Sequence, residues 1–104
     1  MPENWVRACA VADIDKEDLI EVTLMDQKIA VYCDKVGNFF ATEATCTHEQ
    51  VSLCGGLVVG DIIECPKHNG RFNYKTGEAL RAPVIHDLKT YPAKRVDDDV
   101  FVAI

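Results

Sequence analysis

Cys46-Thr47-His48 and Cys65-Pro66-Lys67-His68 place two thiols and two imidazoles in short mixed pairs, with sixteen residues between the pairs. Each pair offers one sulfur and one nitrogen. Two loops bearing such pairs can pinch a dinuclear iron cluster between them, both sulfurs on one iron and both nitrogens on the other. A structural zinc site of two cysteines and two histidines is the competing chemistry. Zinc motifs commonly pair like with like, C-x₂₋₄-C with H-x₃₋₅-H, so the spacing favours iron–sulfur chemistry and leaves zinc open.

The residues around these pairs are more specific. Cys65-Pro66-Lys67-His68-Asn69-Gly70-Arg71-Phe72 is followed by Thr76-Gly77, Ala82-Pro83-Val84 and Lys89-Thr90-Tyr91-Pro92. With C-x-H ahead of C-x-x-H, the pattern resembles the Rieske [2Fe–2S] signature, in which two histidines replace two cysteines on one iron. Over nearly its whole length the chain is similar to the small ferredoxins of bacterial aromatic-ring dioxygenase systems. The resemblance implies one Rieske-type [2Fe–2S] cluster, with Cys46 and Cys65 on a buried iron and His48 and His68 on an outer iron near the surface. It also implies an all-β fold, a Rieske-type antiparallel β-sandwich with a small cluster-binding subdomain formed by two loops, as a single domain over 1–104. Pro83 matches the family's proline loop over the cluster.

Two ferric ions, two sulfides, two thiolates and two neutral imidazoles sum to a formally neutral oxidised cluster, whereas four thiolates leave it doubly negative. Adding an electron is therefore easier, and histidine ligation places the potential at about −150 to +300 mV, against about −400 mV for plant-type ferredoxins. Hydrogen-bond donors around the cluster set the position within that range. High-potential respiratory Rieske proteins resemble this chain in ligands but add a cysteine pair, disulfide-bonded between the loops, with one member at the position of Lys67. They also carry a serine and a tyrosine where this chain has Gly70 and Phe72. Without those hydroxyls the expectation is a potential toward the low end.

The elements that must position these loops are short. Ile20, Val22 and Leu24 alternate with Glu21, Thr23 and Met25, and Ile29, Val31 and Cys33 with Lys28, Ala30 and Tyr32, around a turn at Asp26-Gln27. Asp34 to Asn38 reads as a second turn before Phe39 to Thr42. Gly60-Asp61 separates Leu57-Val58-Val59 from Ile62-Ile63-Glu64. Lys75 to Gly77 separates two further strands, and Asp97 to Asp99 turns a strand over Leu88 to Val96 into another over Val100 to Ile104. Only Val11 to Leu19 suggests a helical turn. Residues 43 to 56 and 65 to 71 thus fall on connections, where ligand-bearing loops belong on a rigid β scaffold. Gly55, Gly56 and Gly70 are expected to let backbone N–H groups approach the cluster sulfurs.

The chain has 104 residues, enough for one modest core that buries roughly 60% of the unfolded surface. Five cysteines with no basic and apolar leader at the N-terminus argue for metal ligation over a disulfide framework, and for a cytoplasmic protein without a membrane anchor. Cys9 and Cys33 read as small buried hydrophobes. Cys54 does not fit the ligand pattern and reads as a structural or incidental thiol. A net charge of −6 argues against nucleic acid and suits docking to a basic protein surface. Once His48 and His68 are used, His86 is the one histidine left, so no two-histidine facial triad for a mononuclear iron can form. His86 itself reads as solvent-facing. No G-x-G-x-x-G fingerprint for a nicotinamide is present.

These readings converge on a monomeric, one-electron carrier, not itself an enzyme. It would pass electrons from an NAD(P)H-dependent flavoprotein reductase to a terminal oxygenase. The alternative is the Rieske-like small subunit of a larger reductase, such as an NADH-dependent nitrite reductase, and a zinc-stabilised interaction domain is third.

Overall fold

The computed structural model describes residues 4–47, 51–67, 69–82 and 86–104; His48, His68 and Pro83 lie outside the described residues. The period-two segments become strands joined mostly by tight turns: β1 (Trp5–Ala10), β2 (Asp18–Leu24), β3 (Gln27–Cys33), β4 (Phe39–Glu43), β5 (Leu57–Val59), β6 (Ile62–Glu64), β7 (Arg71–Asn73), β8 (Ala79–Arg81), β9 (Thr90–Tyr91), β10 (Ala93–Val96) and β11 (Asp99–Ala103). The helical turn expected after Val11 is a single 3₁₀ turn, Val11–Asp13. Among the described residues every pairing is antiparallel, in three sheets of order β1-β11-β10, β2-β3-β4-β9 and β5-β6-β7-β8.

The second sheet is the middle layer, and β3 shows why. Five consecutive residues, Ile29 to Cys33, are buried, where simple alternation of core and solvent would expose every second one. Ile29, Val31 and Cys33 pack with Cys9, Val100 and Val102 of the first sheet. Ala30 and Tyr32, on the opposite face, pack with Val58, Ile63 and Phe72 of the third and with Tyr74 in the turn after β7. The alternation in the sequence therefore separates two cores.

A turn and a strand differ from the sequence reading. The β2–β3 hairpin turns at Met25-Asp26, both at positive φ (50° and 65°), with Leu24 opposite Gln27. A two-residue hairpin loop with both φ values positive follows the right-handed twist of its strands, so the turn lies one residue earlier than Asp26-Gln27. The strand expected over Leu88 to Val96 is two strands. Pro92, which has no N–H to donate, divides β9, paired with β4, from β10, paired with β11, and the chain changes sheets there.

The third sheet is fastened to the middle one by aromatic stacking and by charge. The Tyr32 and Tyr74 rings stack with centroids 4.6 Å apart and planes 8° from parallel, a contact worth about 0.5–1.5 kcal/mol beyond area burial. Tyr32 and Thr42 share a hydroxyl hydrogen bond of 2.8 Å, and Thr42 donates to the Glu43 carbonyl at 2.7 Å. Tyr74 donates its O–H to the Gly60 carbonyl at 2.6 Å. Lys75 Nζ reaches Asp34 Oδ2 at 3.1 Å and Asp61 Oδ1 at 2.9 Å, and lies 4.9 Å from the centre of the Phe40 ring. One lysine thus joins the β3–β4, β5–β6 and β7–β8 turns.

Asp34 is buried, and its Oδ1 also accepts the N–H groups of Val36 (3.1 Å) and Asn38 (2.8 Å). Burial alone would raise its pKa; the N–H donors and Lys75 outweigh that and hold the carboxyl below its ordinary value. Its contribution to stability is therefore complete above the unfolded pKa and is lost as pH falls through the lower folded one. Asp34→Asn is expected to destabilise the protein by about 1–3 kcal/mol at neutral pH. The gap to wild type should close below about pH 4, and denaturant unfolding of both proteins across that range measures it.

Candidate metal centre

Both cysteines of the mixed pairs sit at the base of a loop closed in the same way. In the first loop, residues 44–56, the Cys46 N–H donates to the Val51 carbonyl at 2.9 Å, Leu53 N–H donates to Ala44 O at 2.8 Å, and Thr45 bridges to Ser52. In the second, residues 65–70, the Cys65 N–H donates to the Gly70 carbonyl at 2.7 Å. Each cysteine N–H therefore spans to the carbonyl five residues on. The Arg71 guanidinium and the Glu64 carboxylate, 2.9 Å apart, pair across the base of the second loop.

The two loops are pressed together from below. Gly56 has ordinary extended backbone, yet a Cβ built on it would lie 2.1 Å from the Glu64 carbonyl oxygen, one residue before Cys65. Only a residue without a side chain permits that approach. Gly56 was expected to open the way to cluster sulfurs; its demonstrable task is to let the first loop lie against the strand leading to the second. Gly55 adds an ordinary contact with the Pro66 ring. Gly70 supplies the carbonyl that closes the second loop.

Cys46 and Cys65 are buried in one core with Tyr32, Leu53, Ile63, Phe72, Tyr74 and Leu88. Neither is in a disulfide. Two buried thiols at the bases of abutting loops fit the sulfur half of a histidine- and cysteine-held iron–sulfur cluster, with an apolar wall that keeps water from that side. The remaining cysteines are placed differently. Cys9 and Cys33 lie in the other core, against the first sheet. Burial and the nearby Asp13 push the Cys9 thiol up to about 11, and burial also raises Cys33, so both stay protonated and poor as ligands. Cys54 is exposed, in the 3₁₀ turn Leu53–Gly55. Among the described residues no group of three or more His, Cys, Asp or Glu gathers into another metal site.

A third segment closes over the first loop. Thr47, between Cys46 and His48, donates its hydroxyl to the His86 carbonyl at 2.7 Å. Lys89 N–H donates to Glu43 Oε2 at 2.7 Å, Glu43 N–H donates to Lys89 O at 2.9 Å, and Asp87 accepts the Ala79 N–H at 2.9 Å. Gly77, at φ +84°, lets that segment approach: its Cβ would lie 2.3 Å from the Leu88 carbonyl. His86 is exposed. The Thr47–His86 and Glu43–Lys89 contacts join residues 39 and 46 apart in sequence, so neither motif nor period could have revealed them.

Comparison with known proteins agrees with this arrangement. The family model of the Rieske [2Fe–2S] domain matches residues 4–92. The ferredoxin component of the naphthalene 1,2-dioxygenase system of Pseudomonas putida is 42% identical over 94 residues, covering 90% of this chain and 89% of the relative. A chain in the solved complex of reduced oxygenase and oxidized ferredoxin in carbazole 1,9a-dioxygenase superposes with a TM-score of 0.88 at 35% identity, covering 98% of this chain and 94% of that one. A Mycobacterium tuberculosis chain described as an NADH-dependent nitrite reductase small subunit superposes with a TM-score of 0.87 over 100% of this chain and 97% of that one. At 21% identity it shares the fold alone. The chain therefore belongs to the Rieske [2Fe–2S] family, as an electron-transfer protein of the ferredoxin kind with a Rieske-type [2Fe–2S] cluster as its cofactor.

Proposed function

We propose that the chain, one Rieske domain over 1–104, is the ferredoxin component of a multicomponent oxygenase, taking electrons from an NAD(P)H-dependent flavoprotein reductase and delivering them to a terminal oxygenase. The observation that carries this reading is the pair of buried cysteines in two abutting loops, each with its N–H bonded to the carbonyl five residues on, within a chain 42% identical to a ferredoxin component. The high-identity relatives are ferredoxin components, which supports the carrier over the nitrite reductase subunit. Monomeric operation in the cytoplasm is part of the same proposal. Among the described residues no helix is long and apolar enough to cross a membrane.

The proposed ligands are Cys46 and Cys65 for the inner iron and His48 and His68 for the outer one. When bound, the cluster accepts and releases one electron at a time. The protein's own part is rigidity and polarity. Leu53, Ile63, Phe72 and Leu88 exclude water behind the cysteines, and the closed loop bases hold the thiols in place through a redox cycle. Exposed Lys67, Arg71 and Arg81 surround the second loop and its sheet with positive charge on an otherwise acidic chain. Arg71 and Arg81 are directly opposite across β7 and β8, an unfavourable pairing that the Glu64 carboxylate eases on one side.

The ligand set makes a direct prediction. The purified protein should contain two irons and two acid-labile sulfides per chain by chemical analysis. Alanine at any one of Cys46, His48, Cys65 or His68 should lose the cluster or leave it labile, whereas Cys9→Ala and Cys33→Ala should retain it. One zinc per chain and no sulfide would refute the assignment.

Phe72 is fully buried in the core that holds Cys46 and Cys65, and a hydroxyl on its ring is expected to reach the Cys65 sulfur. Phe72→Tyr is expected to raise the midpoint potential by donating a hydrogen bond that stabilises the reduced, more negative cluster. Phe72→Leu should move it little. Voltammetry of both variants decides, and a lowered potential in the tyrosine variant contradicts the geometry.

With NADH and oxygen alone the protein should turn over nothing. Addition of the flavoprotein reductase should reduce it by one electron, and further addition of the oxygenase should give turnover at substoichiometric ferredoxin. If the net acidic surface guides docking, stopped-flow reduction should slow with salt. Rates flat in salt would reject steering. Substrate oxidation by the isolated protein would reject the carrier role.

A further inference from the structure

We propose that Glu21, on β2 of the middle sheet, is a positioning residue for the first ligand loop, acting through Ser52. The Ser52 hydroxyl donates to Glu21 Oε1 at 2.6 Å and its oxygen accepts the Cys54 N–H at 3.1 Å, so one serine both caps the 3₁₀ turn and ties it to the sheet. Ser52 is also the residue bridged to Thr45, and its neighbour Val51 accepts the Cys46 N–H. The connection runs from a carboxylate on a rigid strand, through one hydroxyl, to the rung of backbone bonds that holds Cys46.

The register of β2 supports this. Side chains two apart share a face, and Leu19, two residues before Glu21, is buried in the core that contains Cys46. The strand thus meets the third sheet and its loops first through an apolar contact and then, one step on, through a carboxylate. A parallel contact lies at the other end of the subdomain, where Glu17 Oε2 accepts the Gly60 N–H at 3.1 Å. A hydrogen bond is needed at Ser52 because the loop leaves the core there: Leu53 is fully buried while Ser52 and Cys54 are exposed. Apolar packing holds Leu53, and the backbone bonds that brace the turn around it, Leu53 N–H to Ala44 O and Gly56 N–H to Leu53 O, lie within the loop.

Glu21 has two separable effects. Its acceptor oxygen fixes the loop, and its negative charge opposes the addition of an electron nearby. Three variants divide them. Glu21→Gln keeps an acceptor for Ser52 and removes the charge; Ser52→Ala keeps the charge and removes the link; Glu21→Ala removes both.

The inference rests on the cluster being held in these loops and not on any partner, so it is tested on the isolated holoprotein. The readouts are iron release to excess EDTA and the midpoint potential, with thermal unfolding of each variant as a control. Because both residues are exposed, the bond competes with water and the effect is modest. Ser52→Ala and Glu21→Ala should release iron about two- to tenfold faster than wild type. Glu21→Gln should release at the wild-type rate while its potential rises. A Ser52→Ala protein that loses its cluster during purification, beside a Glu21→Gln protein that keeps it, is the same result in stronger form. Wild-type release from Ser52→Ala and Glu21→Ala overturns the proposal. So does Glu21→Gln releasing as fast as Glu21→Ala, which would make charge alone responsible.

Discussion

Burial of the middle sheet on both faces is the constraint from which the rest of the structure follows. Because Ile29 to Cys33 form an unbroken buried run, β3 cannot lie against solvent on either side, and two further sheets must cover it. The first sheet covers Ile29, Val31 and Cys33. The third covers Ala30 and Tyr32, and the cover it supplies includes the two cysteines at the bases of the ligand loops. The proposed metal centre is thus built into the second of two cores rather than appended to a finished fold.

This arrangement divides labour between apolar and polar contacts. Packing around Tyr32, Tyr74 and Phe72 sets how far the third sheet stands from the middle one. Polar links set its orientation. Lys75 joins three turns at one end, and Glu17, just before β2, and Glu21, on it, accept hydrogen bonds from Gly60 and Ser52. Among the described residues no buried side-chain nitrogen or oxygen lacks a partner, so this polar framework carries no unpaired buried group.

Much of this was legible in the sequence, for identifiable reasons. The mixed Cys–His pairs are local and chemically unusual, so they pointed to a cluster before any fold was known. Period-two alternation revealed the strands because side chains on a pleated strand alternate. It misled in one respect: Ala30 and Tyr32 looked like a second face of ordinary polarity, and burial there depends on a sheet contributed by residues far along the chain. Pro92 was visible, but that it divides one apparent strand between two sheets depends on which edges lie nearby. Met25 at positive φ gave no signal, since nothing in its chemistry favours that conformation. The role of Gly56 and the links from Lys75 and Glu21 join distant segments, and no local pattern encodes such contacts.

The central claim is that two histidines, one from each loop, complete the site that Cys46 and Cys65 begin. Electron–nuclear double resonance on the reduced protein tests it directly, comparing uniformly ¹⁴N protein with protein grown on ¹⁵N-labelled histidine. The account predicts two strongly coupled histidine nitrogens, both replaced by ¹⁵N couplings on labelling. A reduced cluster with no histidine coupling, or with only one, would contradict it.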